Sequence, residues 1–122
     1  MAVVQRTFDG MAANDAAKIL SSMTSDARLY GVRNGAAYAM AADQWANRIA
    51  SAKGKFDEHF TKQPAVSIHG TIAHVWGEYE FLRDGKFTHC GVDSFSLLKT
   101  ADGWKVAAIF DTEETTGCPT AR

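Results

Sequence analysis

Asp93 is the side chain in this chain of 122 residues whose surroundings point most directly to chemistry. If Asp84-Gly85 is a two-residue hairpin loop, Glu80 faces His89, Glu78 faces Gly91, Trp76 faces Asp93 and His74 faces Phe95 across the flanking strands. The next turn, Ala101-Asp102-Gly103, then brings Phe110 opposite Asp93, so that Trp76, Asp93 and Phe110 form one row. Burying a carboxylate between two aromatics costs several kcal/mol unless its pKa rises, and a carboxyl of raised pKa is what acid–base catalysis uses. The alternative is structural: Asp93 caps a hydrogen-bond network with Tyr30 or a backbone amide.

Under the same register His74 and His89 share the Asp93 face, and either imidazole could exchange protons near neutral pH. His74 reads equally as a satisfied core residue among Ile72 and Phe95, and His89 as the surface partner of Glu80. Asp93 and His74 are therefore the candidate catalytic groups, and Tyr30, Trp76, Glu78, His89 and Phe110 the candidate ligand contacts. Tyr38 and Trp45 could reach the cavity mouth or pack in the core. A one-residue bulge in these long strands would exchange the two faces. No histidine cluster has the spacing of a metal site, so no metal is expected. There is no nucleophile elbow, phosphate-cradling glycine loop or dinucleotide fingerprint, and no cofactor is expected.

Cys90 and Cys118 are too few for a disulfide scaffold and lack zinc-type spacing. Cys90 is placed opposite Glu113, and Gly117 lets the following chain turn back, so the two cysteines could bond and close a loop of about 28 residues. A buried thiol at Cys90 with a free Cys118 is the competing reading. Export to an oxidising compartment would favour the bridge and a cytoplasmic home the thiols. The start, MAVVQRTFDG, has no apolar signal region, which reads as cytoplasmic unless a leader has been removed.

These residues need elements to hold them, and the composition changes near residue 54. The first part is Ala-rich with apolar residues at helical spacing, predicting helices over 3–13, 15–22 and 41–51, with 26–32 extended and a tight turn at Asn34-Gly35. Residues 36–40 are compatible with strand or helix. From Lys55 the period becomes two, predicting strands over 55–61, 65–69, 71–83, 86–99 and 103–113 joined as an antiparallel meander. Pro64 either starts the second of these or breaks one long bent strand. Residues 1–114 read as one domain and 115–122 as a tail. The expected architecture is α+β: three N-terminal helices covering a cone-shaped, curved antiparallel sheet.

The stretches VQRTFDGMAANDAAKILSSMTSDARLYG, TIAHVWGEYEFLRDGKF and HCGVDSFSLLKTADGWKVAAIFDTEETTGC resemble the nuclear transport factor two-like superfamily, which includes SnoaL-like cyclases, steroid isomerases, scytalone dehydratases and lumazine-binding-like small domains. The resemblance implies a cystatin-like roll. Aligned with steroid isomerases, the oxyanion tyrosine falls on Thr7 and the aspartate base on Gly31, so that chemistry is not carried over. Scytalone dehydratases combine tyrosines, an aspartate and histidines in the cone, types offered here by Tyr30, Asp93, His74 and His89.

Thirteen basic against fourteen acidic residues leave a net charge of −1, with 46% hydrophobic and 22% charged residues. That balance describes a globular domain with no field for nucleic acid or an anionic membrane, and no run approaches the roughly 18 apolar residues of a membrane span. Two functions fit. One is a module that binds a small apolar or aromatic molecule in the cone; the other is a cofactor-free lyase or isomerase using Asp93 or His74. The second face of the strands, from Ala73 to Phe81 with Cys90, Val92 and Leu98, is too apolar for water and predicts a homodimer.

Overall fold

The computed structural model describes residues 2–118. Helix α1 (Ala2–Ala12) buries Val4, Phe8 and Met11 on one stripe because they recur at three and four residues. Asp15 caps α2 (Ala16–Ser21) by accepting from the Lys18 amide at 3.0 Å. Strands β1 (Met23–Arg33) and β2 (Ala36–Ala41) form a hairpin. Its turn holds Asn34 and Gly35 at φ of 53° and 79°, the pair of positive angles that a twisted two-residue loop requires. Helix α3 (Ala42–Ser51) follows, and Asn14 ties its end back to the first helices by donating to the Ile49 carbonyl at 3.0 Å.

The remaining strands are β3 (Phe56–Phe60), β4 (Ala65–His69), β5 (Ile72–Arg83), β6 (Lys86–Thr100) and β7 (Gly103–Asp111). The sheet runs β2-β1-β7-β6-β5-β3, and β4 continues along the same strand, β5, beyond the break at Pro64. Two expectations are corrected. β3 and β4 do not pair with each other as a meander would require, and β1 lies parallel to β7, so the sheet is mixed. The long connection between β1 and β7 permits that parallel approach, which a tight turn would forbid. The architecture is α+β, a cystatin-like roll with a curved, unclosed sheet. α1 packs onto the sheet through Phe8, edge to face with Phe60 and Phe95 at 5.2 and 5.8 Å.

Two bulges decide which side chains point inward. Leu82 pairs with Phe87 but Phe81 with His89, leaving Thr88 as the extra residue, whose hydroxyl donates to the Phe81 carbonyl at 3.0 Å. Leu97 pairs with Val106 but Ser96 with Ala108, leaving Ala107 extra. Bulges bend and twist a strand, which a sheet wrapping three helices needs. The expected unbroken register is thereby displaced by one. Glu80 faces Cys90, Glu78 faces Val92, Gly77 faces Asp93, Trp76 faces Ser94, His74 faces Ser96 and Asp111, not Phe110, faces Asp93. Ala73, Val75 and Tyr79, expected on the outer face, belong to the buried interior.

Candidate functional site

Inside the cone one row of side chains crosses the sheet. Gly77, Asp93 and Asp111 are directly paired on β5, β6 and β7, and Gly31 pairs with Tyr38 on β1 and β2. Gly31 continues the row: a Cβ there would stand 2.8 Å from the Tyr38 ring and 3.1 Å from Asp111 Oδ1. At Gly77 a Cβ would meet the Phe60 ring at 2.5 Å, so the bare backbone lets that ring lie over β5. Glu58 on β3 reaches the same region from the side. These groups line one end of a cavity of about 220 Å³, with Phe8 and Met11 of α1, Trp45 and Ile49 of α3, and Leu29, Phe95 and Ile109 of the sheet as its apolar wall.

Asp93 is 1% exposed, and its Oδ2 has no hydrogen-bond donor within reach. An acceptor buried this way is satisfied by taking a proton. Burial lifts its pKa well above the ordinary carboxylate range, and the charge of Glu58 and a hydrogen bond between the two carboxyls add to the rise. Burial also lifts Glu58, to about 7, although the hydrogen bond with Asp93 opposes the rise. The two carboxyls therefore share a proton at neutral pH, with the pair rather than either residue as the titrating unit.

The neighbours are held in defined states. Burial raises Asp111 to about 6 against the pull of Arg33. Burial, then the charges of Glu58 and Asp93, raise Tyr79, whose phenol donates to the Thr112 carbonyl at 2.6 Å. Burial lowers His89, which stacks on Phe81 with ring centroids 4.9 Å apart. Burial, then Asp111, raise Tyr38. At the edge of the cavity Arg33 Nη2 donates to Tyr38 Oη at 2.9 Å, pairs with Glu113 and lies 3.5 Å from Asp111, with its guanidinium over the Tyr38 ring. The Arg33 charge is thus already matched by two carboxylates.

Of the residues singled out from the sequence, Asp93 and His89 line this cavity, along with Tyr38 and Trp45. The others do not join them: the two bulges set β5 and Phe110 of β7 out of register with Asp93, and Tyr30 on β1 pairs with Phe110 on the same outward side. His74 bonds Ser94 Oγ at 2.6 Å on the outer face and is not a neighbour of Asp93. Trp76 is 53% exposed, Tyr30 stacks on Phe110 at 4.7 Å and Glu78 pairs with Lys62 at 2.8 Å, all outside the cone. The expected His89–Glu80 pair is replaced by Glu80 with His59 at 2.8 Å, where Asp57 and Glu80 together outweigh burial and raise the imidazole. Thr7, at the oxyanion position of the steroid isomerases, spends its hydroxyl on Ser22 at 2.7 Å. Cys90 Sγ is bonded to Cys118 Sγ with α-carbons 5.9 Å apart, and the backbones of Cys90 and Glu114 exchange two hydrogen bonds beside it. Glu114, rather than Glu113, faces Cys90 for the same reason that Asp111 faces Asp93.

Glu58 and Asp111 were missed. The first had a signal: Phe56, Glu58 and Phe60 alternate on one side of a strand, which puts a carboxylate on an apolar face. Asp111 had none beyond its place next to Phe110, since its direction rests on the Ala107 bulge. Among the described residues, no group of three His, Cys, Asp or Glu is arranged to hold a metal ion. None of their helices is long and apolar enough to cross a membrane.

A bent sheet closed by helices around a polar-floored cavity defines the nuclear transport factor two-like class. The chain belongs to the family described as "Putative lumazine-binding", whose sequence model matches residues 1–110. A superfamily protein from Salmonella enterica is 13% identical over 99% of this chain and 93% of its own, with a TM-score of 0.75. A "putative dehydratase" from Streptomyces avermitilis is 18% identical over 94% and 93%, also at 0.75. A "putative scytalone dehydratase" from Novosphingobium aromaticivorans is 11% identical over 93% and 80%, at 0.76. At these identities the likeness is one of fold. No curated protein matches the sequence significantly. Family and fold together describe a small-molecule-binding or enzymatic domain.

Proposed function

We propose that the cone binds one small molecule with a largely apolar, aromatic body and a single polar end, seated against Glu58 and Asp93. The observation that carries this is the buried Asp93 Oδ2 without a donor, in a cavity with its carboxyls at one end and Phe8, Met11, Leu29, Trp45, Ile49, Phe95 and Ile109 around the rest. A volume of about 220 Å³ lies below the roughly 300–1,000 Å³ of drug-sized pockets, which suits a ligand of one or two rings. A groove of about 520 Å³ runs from Trp76, Tyr30 and Phe110 to the sheet edge at Tyr38, Asp111 and Glu113, but among the described residues it holds no buried side-chain atom without a partner.

A second reading, cofactor-free proton transfer, is favoured by Glu58, whose pKa near 7 suits a general base working beside a protonated Asp93. Calorimetric titration with acetophenone, benzyl alcohol and benzylamine tests the first reading. At least one of them binds the wild type and is lost in Leu29→Trp, which fills the cavity. Failure of all three, or binding unchanged by that substitution, ends it. Exchange of acetophenone methyl hydrogens in D₂O, followed by NMR, tests the second: catalysed exchange slows by about 10²-fold or more in Glu58→Gln, and exchange at the uncatalysed rate in wild type leaves a binding domain.

The outer face carries Trp76, Phe110, Val32, Ile72 and Leu98, all exposed. Monomers rarely leave such an apolar area in water, and a second copy meeting it face to face is the occupant we propose.

A further inference from the structure

The cavity contains more negative charge than its surroundings answer. Four carboxyls line it, from Glu58, Asp93, Asp111 and Glu113, and no lysine or arginine does. Arg33, the guanidinium at the cavity edge, is already engaged with Asp111, Glu113 and the Tyr38 hydroxyl. Around the pair, Tyr79 from β5 donates its proton away to Thr112, His89 from β6 is held towards its neutral form, and Tyr38 from β2 accepts from Arg33 at the cavity edge. His59, next to Glu58 on β3, acts on it only through its charge and spends both ring nitrogens on Asp57 and Glu80, so Glu58 and Asp93 have no cation bonded to them, while the aromatic walls of Phe8, Trp45, Phe81 and Phe95 surround the space next to them.

We infer that the polar end of the cone's ligand is a basic nitrogen: an arylalkyl ammonium or protonated N-heterocycle whose N–H groups donate to Glu58 and Asp93 while its ring packs on the aromatic wall. Carboxylates and phosphates are excluded by the same charges, and an uncharged isostere gains only the apolar contacts. This rests on the reading of the cone as a small-molecule site and adds the class of ligand.

Three probes of nearly equal shape separate the two ideas: benzylamine, benzyl alcohol and benzoate, titrated calorimetrically into the wild-type protein at pH 6 and pH 8. Benzylamine binds at least about tenfold more tightly than benzyl alcohol at pH 8, the least that a charge-assisted hydrogen bond confers, and benzoate does not bind. An aliphatic ammonium stays charged throughout this range, so the pH dependence belongs to the site. With Glu58 titrating near 7, benzylamine affinity rises about tenfold from pH 6 to pH 8 with release of a proton, and benzyl alcohol affinity does not rise. Glu58→Gln removes that rise and retains benzyl alcohol binding, which shows the cavity to be intact. Benzyl alcohol binding as well as or better than benzylamine, or any preference for benzoate, overturns the basic-nitrogen inference and leaves the binding site standing. Failure of all three probes overturns both.

Discussion

Asp93 is tolerated at 1% exposure because Glu58 lies within hydrogen-bond reach and the two can hold a proton between them. That arrangement has a sign in stability. Glu58 moves from an ordinary 4.5 to about 7 on folding, so the folded state binds protons more tightly than the unfolded chain. Its contribution is fully present below about 4.5 and is lost as pH rises through about 7. Urea unfolding at a series of pH values should therefore show stability declining between pH 5 and 7, by on the order of 1–3 kcal/mol. In Glu58→Gln the Glu58 share of that decline disappears, while the shares of Asp93, still raised by its burial, and of Asp111 remain. A wild-type curve that rises over this interval would show that the pair is not protonated in the folded state.

At the scale of elements, the inward direction of the pair depends on where strands break their register and where they are tied. Thr88 and Ala107 each insert one residue, and the strand end beyond Asp111 is then laid against β6 through Thr112 and Glu114. The bond from Cys90 to Cys118 fastens this returning segment, which carries Glu113 to the edge of the cavity. With a sequence separation of 28 between the cysteines, the chain-entropy model assigns the bridge roughly 3–4 kcal/mol. Protein purified in air should have a mass two units below that of the dithiol form, and reductant should restore those units and lower the unfolding midpoint. Two free thiols in air-purified protein would rule the bridge out.

For the whole molecule, the same bulges that turn Asp93 and Asp111 inward turn Trp76, Ser94 and Phe110 outward. Tyr30 stacks on Phe110, so one aromatic row crosses the middle of the outer face. A partner copy on this surface predicts a species of twice 13.3 kDa in light scattering at micromolar concentration. Trp76→Glu places a charge at the centre of the face and should convert that species to monomer. It should leave the unfolding midpoint of the monomer little changed, because Trp76 is 53% exposed in the single chain. A wild type that stays monomeric at high concentration would refute the dimer.

Local chemistry was enough to read the elements. Alternating Phe, Glu and Val runs, Asn34-Gly35, Asp84-Gly85 and the helical spacing of Val4, Phe8 and Met11 act over a few residues, and from Lys55 onward the strands lie within a residue or two of where period and turn signals put them, whereas β1 starts three residues before the expected 26 and β2 settles as strand a segment compatible with either state. The resemblance in three stretches likewise reached the fold and family. Which face each strand presents was not legible, because a one-residue bulge leaves no local mark and reverses every side chain beyond it. Thr88 and Ala107 are extra residues only because the sheet must curve around Phe8, Trp45 and the helices carrying them, a demand made by packing between distant segments. Asp93 could thus be singled out from its strand alone. Its partner could not, since Glu58, 35 positions earlier, meets it only after β3 has docked on the far edge of β5.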